Sequence, residues 1–275
     1  MPVDLHLHSS ASDGLLSPRA LMRKCADAGL EIVALTDHDT LSGVRDAMDE
    51  GKKIGMKVIA GVELSTGGAQ ELHILGYGIK DIDKMEEMLK GMRGARRQRL
   101  YRIAERLKEA GIVIDAQSIE REAGDAVGRP HVARALMAAG YASGMQEAFQ
   151  RYLIPGKIGY VPREKLAAEE AVRIIRTSGG IAVLAHPCIS IHDNFTLPER
   201  IKALQRTGLK GVEAHHPRHT PTQRRMLDKM ARNLGLFVTG GSDFHGTAEG
   251  MPGCGMDEWT EKDRDVAKLL RVIEE

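Results

Sequence analysis

The sequence predicts a parallel α/β barrel, and three observations carry the prediction. Seven short apolar runs of strand-like composition recur along the chain, at 3–6, 32–36, 58–63, 72–77, 181–185, 211–214 and 236–239. Helical patterns separate most of them, and repeated strand–helix–strand order implies parallel pairing through right-handed crossovers. Histidines and carboxylates sit at or just after the C-terminal ends of nearly every run. Those ends converge on one mouth in such a barrel.

The elements follow in order. The first run begins almost at the first residue. Ser17-Pro18 then supplies an N-cap and a first-turn proline for a helix over 19–28, which Gly29 closes. The run at 32–36 leads into a helix over 40–55, and the run at 58–63 is apolar until Glu63. After the run at 72–77 the pattern breaks. Residues 84–110 carry Leu100, Ile103 and Leu107 at helical spacing, and helical patterns continue at 119–123, 129–140, 145–152 and 165–178. The last of these leads into the run at 181–185 and is assigned to the barrel. Thr220-Pro221 opens a helix over 220–234 that ends before Gly235. Residues 1–80 and 165–275 are therefore expected to form the barrel, and 81–164 a helical insertion. An insertion that follows a barrel strand is expected to emerge on the catalytic face, where it shapes substrate choice.

Composition narrows the class. A chain of 275 residues can bury one large core. With 39 Lys and Arg against 38 Asp and Glu, the net charge of +1 gives no overall basicity for duplex DNA. Cys25, Cys188 and Cys254 are widely spaced, which argues against a disulfide framework and a thiolate zinc site and suits a reducing cytosol. No window approaches a membrane span, and the start lacks the regions of a signal peptide. A cytoplasmic protein with no membrane association and no obligate protein partner is expected.

Nine residues read together as a metal site: His6, His8, Asp13, His38, Glu63, His73, His186, Asp243 and His245. His6 and His8 are two apart on a strand and point to one side, so both imidazoles can hold one ion. Asp13 taken alone is an ordinary turn residue, His38 an ordinary loop residue, and His73 a core histidine bonded to a carbonyl. Glu63 is harder to dismiss, because a carboxylate ending an apolar strand is costly to bury unless paired or metal-bound. His186 ends the run at 181–185, and Asp243 and His245 follow the last run. So many unpaired imidazoles and acids at strand ends would be a large desolvation cost, whereas two or three divalent ions account for all of them. Mixed nitrogen and oxygen ligation without thiolate admits Mn, Fe, Zn, Co or Mg.

The Asp4-Leu5-His6-Leu7-His8 start, Thr36-Asp37-His38-Asp39, Gly61-Val62-Glu63, Ala185-His186-Pro187 and Ser242-Asp243-Phe244-His245 resemble the PHP (polymerase and histidinol phosphatase) family over the full length. The resemblance implies a distorted seven-stranded β/α barrel of PHP type with a helical insertion over its C-terminal mouth. Gly128-Arg129-Pro130-His131-Val132-Ala133-Arg134, Pro155-Gly156-Lys157 and Tyr160-Val161-Pro162 are similar to the bacterial subgroup of 3′,5′-nucleoside bisphosphate phosphatases and 5′→3′ oligoribonucleases, the tryptophan-operon-associated PHP proteins. That resemblance implies His6, His8, Glu63 and Asp243 on one ion, Glu63 bridging to a second held by His73 and His186, and Asp13, His38 and His245 on a third. It also implies manganese, with Glu63, Asp13 and His38 as the catalytic ligands. A water shared by two such ions would ionise near neutral pH and attack phosphorus in line. No G-x-S-x-G or G-x-x-x-x-G-K motif suggests another chemistry.

Substrate residues are expected among the basic side chains of the insertion and the loop after 211–214. Arg99, Arg102 and Arg106 form a helical stripe, joined by Arg93, Arg96 and Arg97, and a solvated face would look the same. With Arg129, Arg134 and Lys157 they concentrate positive charge suited to a substrate with more than one phosphate. His215, His216, Arg218 and His219 reach the mouth, and His216 and Arg218 are candidates for phosphate binding or leaving-group protonation. An aromatic share of 4% leaves few stacking platforms, with Tyr101, Tyr141, Phe149, Tyr152 and Tyr160 the candidates. The expected substrate is a nucleoside 3′,5′-bisphosphate, or a short 5′-phosphorylated RNA. Histidinol phosphate, or a non-catalytic PHP binding module, is the alternative.

Overall fold

The computed structural model describes residues 2–67, 71–162, 166–191, 196–246, 251–253 and 264–274. Cys254 and the start of the helix expected at 165 lie outside them. The strands are β1 (Val3–Leu7), β2 (Ile32–Leu35), β3 (Lys57–Ser65), β4 (His73–Tyr77), β5 (Ile181–Leu184), β6 (Gly211–His215) and β7 (Phe237–Gly240). They form one sheet in chain order. The sheet nearly closes on itself just past β7, where Asp243 N–H donates to the His6 carbonyl at 2.9 Å and His8 N–H to the Phe244 carbonyl at 3.0 Å. The strands are short because a barrel wall buried on both faces needs little length. β2, Ile-Val-Ala-Leu, is buried throughout.

All-parallel pairing does not hold. β4 runs antiparallel to both β3 and β5, while the other neighbouring pairs are parallel. The chain has only residues 66–72 between β3 and β4, and a parallel crossover needs roughly a dozen or more. Reversal explains why His73 starts its strand. The beginning of β4 lies beside the end of β3, with Ser65 opposite His73, so His73 still reaches the mouth.

Reversal also moves the root of the insertion. The chain leaves β4 at the end of the barrel away from the mouth, so the expected exit onto the catalytic face is wrong. A single helix, α3 (Ile82–Glu109), of 28 residues, makes up the distance. It is about 42 Å long at 1.5 Å per residue. Asp81 caps it by accepting from the Lys84 N–H at 3.0 Å. Met85 and Leu89 pack into the barrel core, whereas Leu100, Ile103 and Leu107 belong to a second core. That second core also takes in α4 (Ala116–Glu122), α5 (Arg129–Ala138), α6 (Met145–Ala148) and the π-helical turn Phe149–Leu153.

Around the barrel lie α1 (Pro18–Asp27), α2 (Val44–Ile54), α7 (Ala168–Thr177), the short α8 (Pro187–Ser190), α9 (Leu197–Thr207), α10 (Pro221–Asn233) and α11 (Arg264–Glu274). Local signals set their ends. Ser17 caps α1 with proline in the first turn, and Thr220 and Gln223 form a capping box on α10. No helix among the described residues is long and apolar enough to cross a membrane.

Candidate metal centre

The mouth gathers all nine sequence-flagged residues. Glu63, fully buried near the end of β3, is the hub. Its Oε1 lies 2.8 Å from His73 Nδ1 and 3.1 Å from His186 Nε2. Its Oε2 lies 3.3 Å from His6 Nε2, 3.2 Å from His8 Nε2 and 3.0 Å from His38 Nδ1. The two oxygens thus face different sets of imidazoles. Asp243 Oδ1 stands 3.4 Å from His6 Nε2 and 3.1 Å from His8 Nε2. Asp13 meets His245 Nε2 at 3.3 Å and His38 Nε2 at 3.9 Å.

Among the described residues, three overlapping groups have ligand atoms within 4.8 Å of one another: His6, His8, Glu63 and Asp243; His38, Glu63 and His73; and His8, Asp13, His38 and His245. His8, His38 and Glu63 each serve two groups. The residues fit divalent cations on a further observation. His6 Nε2, both ring nitrogens of His8, Glu63 Oε2 and His186 Nδ1 are buried without a well-formed hydrogen bond among the described residues. Buried polar atoms are otherwise nearly always satisfied, and His6 Nε2 and His8 Nε2 both face Glu63 Oε2 and Asp243 Oδ1.

Backbone strain and close approach hold the cluster. Among the described residues, the non-glycine residues with positive φ are Asp39 (52°), His186 (26°) and Asp243 (55°), two of them members of the nine. Each such conformation costs on the order of 1–3 kcal/mol and persists only where its surroundings impose it. Gly241 lets the last loop pass against β1, since a Cβ there would lie 2.2 Å from His6 Cβ.

Carboxylates absent from the sequence expectation brace the loops. Asp37 accepts from Ser9 N–H and Oγ at 2.7 Å and from Ser12 Oγ at 2.6 Å. Asp4 accepts from the backbone of His6, Ser242 and Gly253. Glu213, in β6, meets His6 Nδ1 at 3.0 Å and accepts the His186 N–H at 2.7 Å. The signal for Glu213 was present, since Val212-Glu213-Ala214 buries a carboxylate in an apolar strand as the segment around Glu63 does.

Charges are strongly coupled. Burial alone would raise the Glu63 pKa, but His38, His73 and His6 hold it well below the carboxylate range. Burial likewise opposes ionisation of Asp13 and Asp243, and neighbouring histidines again win. Burial would lower His8, yet Asp243 and Glu63 raise it to about 10. The carboxylates thus favour positive charge on several of the imidazoles around them, the charge that bound cations would also supply. With a folded pKa above its ordinary 6.5, His8 stabilises the fold fully below about pH 6.5 and loses that contribution as pH rises through about 10. Chelated protein is expected to lose melting temperature across that window, and cation-loaded protein to hold it. Circular dichroism melts from pH 6 to 10 measure this; identical pH profiles with and without metal would contradict it.

A cavity of about 330 Å³ opens over the cluster, lined by Glu63, His73, His186 and His245 and walled by Glu71, Arg129 and Arg218. Arg129 donates to Glu71 at 2.9 Å and lies 5.9 Å over the Phe149 ring. His216 is buried, accepts the Arg218 N–H at its Nδ1 (3.1 Å), and points Nε2 at Asp243 Oδ2, 3.5 Å away. The other expected substrate residues are not brought to this cavity. Arg99 donates to the Val161 carbonyl at 2.8 Å and lines a small neighbouring cavity that shares Arg129. Arg134 donates to the Asp13 carbonyl at 3.1 Å and lines a separate cavity with Ser12, His131 and Ala135. Arg102 and Lys157 are exposed. Most of the arginine stripe is spent on packing, Arg96 against the barrel and Arg97, Arg99 and Arg106 within the insertion itself. Arg96 pairs with Asp39 at 2.6 Å and donates to Ser65 Oγ and the Val127 carbonyl, and Arg106 donates to the Tyr160 carbonyl.

A barrel mouth holding overlapping imidazole–carboxylate groups is the arrangement of a metal-dependent hydrolase. The profile of the PHP domain matches residues 4–181, and the chain belongs to the PHP family of metal-dependent phosphoesterases. It is 38% identical over 260 residues to the 5′-3′ exoribonuclease Rnm of Escherichia coli, covering 88% of this chain and 84% of that one. It is 33% identical over 252 residues to the 3′,5′-nucleoside bisphosphate phosphatase of Chromobacterium violaceum, covering 90% and 88%. An amidohydrolase structure from Chromobacterium violaceum, with bound sulfate and no metal, superposes with a TM-score of 0.86 at 31% identity over 95% of this chain and 96% of that one.

Proposed function

We propose that this protein hydrolyses the 3′-phosphate of nucleoside 3′,5′-bisphosphates to give 5′-monophosphates, and releases 5′-nucleotides from short 5′-phosphorylated RNA. The observation that carries the reading is the cavity itself, with the imidazole–carboxylate cluster as its floor and Arg129 and Arg218 on its wall. A substrate with one phosphate over the cluster and a second on the arginines matches that division. The activities for which the two relatives are named fall in the same class.

In this reading the nine residues hold two or three divalent ions, manganese by preference. Such ions supply Lewis-acid charge against phosphate oxygens and acidify water enough for attack near neutral pH. Glu63 orders the site by offering one oxygen to the His73–His186 side and the other to the His6–His8–His38 side. Arg129, fixed by Glu71 and Phe149, and Arg218 on the rim orient the second phosphate. Histidinol phosphate fits less well, because its ammonium would meet these arginines. A purely binding module is disfavoured because no position of the ligand set is missing. The free thiols Cys25 and Cys188 suit a reducing compartment, and we place the protein in the cytoplasm.

A phosphate-release screen tests this, comparing adenosine 3′,5′-bisphosphate, 5′-AMP, 3′-AMP and histidinol phosphate with manganese-loaded protein. The bisphosphate is expected to lead. Arg129→Ala and Arg218→Ala should each lower kcat/KM for the bisphosphate about tenfold or more, the size of a lost charge-assisted contact, while leaving p-nitrophenyl phosphate nearly unchanged. Arg134→Ala and Lys157→Ala extend the comparison to insertion residues outside the cavity. Equal losses on both substrates, or histidinol phosphate as the preferred one, would overturn the assignment.

A further inference from the structure

We infer that Glu213 is a positioning residue whose two carboxylate oxygens set the cation-facing nitrogen of His6 and hold the backbone of His186. The inference rests on the metal-centre reading above. Glu213 is fully buried in β6. Its Oε1 lies 3.0 Å from His6 Nδ1, and its Oε2 accepts the His186 N–H at 2.7 Å. His6 Nε2 faces Glu63 Oε2 at 3.3 Å and Asp243 Oδ1 at 3.4 Å. A ring nitrogen that binds a cation carries no proton, so the proton of a cation-bound His6 belongs on Nδ1, where Glu213 accepts it.

His186 is a different problem solved by the same side chain. Its backbone sits at φ 26° and ψ 55°, in the left-handed region. A buried charge-assisted hydrogen bond to its N–H holds it there while its Nε2 faces Glu63 Oε1 at 3.1 Å. Glu213 thereby restrains one imidazole on each side of the Glu63 carboxylate, and the two rings lie 5.6 Å apart and nearly parallel.

The requirement is for two acceptors and not merely for charge or size. Glu213→Gln is isosteric but offers one acceptor and one donor. The His186 N–H cannot change character and takes the amide oxygen. The amide NH₂ is then left against His6 Nδ1, which favours the tautomer with its proton on Nε2, directed at Glu63 and Asp243 and closed to a cation. Glu213→Asp keeps both acceptors on a shorter arm.

Zinc-loaded protein, which is diamagnetic, allows a direct test. Long-range ¹H–¹⁵N correlation spectra should show the His6 proton on Nδ1 in the wild type. Chelator-competition titrations with Zn²⁺ should show the affinity of Glu213→Gln reduced 10- to 100-fold, with Glu213→Asp recovering most of the loss and circular dichroism confirming that both variants fold. Wild-type zinc affinity in Glu213→Gln, or a wild-type His6 proton on Nε2, would overturn the inference. Should Glu213→Gln fail to fold, the wild-type tautomer decides. Wild-type protein that binds no Zn²⁺ would instead overturn the metal-centre reading, which separates the two failures.

Discussion

Glu63→Gln is expected to lower turnover at saturating metal by on the order of a hundredfold or more. Residues that merely orient ligands already cost 10–100-fold when changed, and Glu63 itself faces five imidazoles through two oxygens. The amide removes a negative charge from the centre of the cluster. It also turns an NH₂ toward either the His73–His186 side or the His6–His8–His38 side. Both effects weaken cation binding, so elemental analysis should show fewer ions per chain in the variant. Near-wild-type turnover with full metal content would show that Glu63 does not join two ion positions.

Chelator-stripped protein is expected to lose essentially all phosphatase activity and to regain it best with Mn²⁺. The cluster offers imidazole and carboxylate only, a donor set compatible with manganese and lacking the thiolates that would select softer metals. Binding must also displace protons, because His6, His8, His186 and His245 all hold theirs above the ordinary histidine range, their acidic neighbours overcoming burial. Reconstitution should therefore be more complete at pH 8 than at pH 6, and calorimetry in buffers of different ionisation enthalpy should register proton release. Full activity in protein shown by elemental analysis to be metal-free would remove the basis of the proposed chemistry.

Much of this was legible in the residues. Each of the seven apolar runs is a strand, because burial on both faces leaves a plain apolar signature. The nine flagged side chains do meet at one mouth. Strand direction was not legible, since an apolar run carries no polarity; the short 66–72 link was the available clue. Residues 197–207, which the seven-run pattern leaves unassigned, form α9, although Leu197, Ile201 and Leu204 carry helical spacing. The arginines were hardest to read. A guanidinium that binds phosphate and one that caps carbonyls look identical in sequence, and only packing shows Arg96 spent on Asp39, Ser65 and Val127. Glu213 was overlooked because it stands mid-strand and not at a strand end.

The long helix α3 has a consequence for anyone wishing to exchange substrate preference between relatives by grafting. Its sequence boundary and its mechanical boundary differ: Met85 and Leu89 belong to the barrel's core, while Leu100 and Leu107 belong to the cap's. A transplant cut at the loop before Ile82 would carry off part of the recipient's core along with the donor's cap. The splice belongs inside the helix, between Leu89 and Leu100, where one continuous backbone passes from foundation to roof. Whatever variety such caps acquire, it must be built on the far end of a beam whose near end is not free to vary.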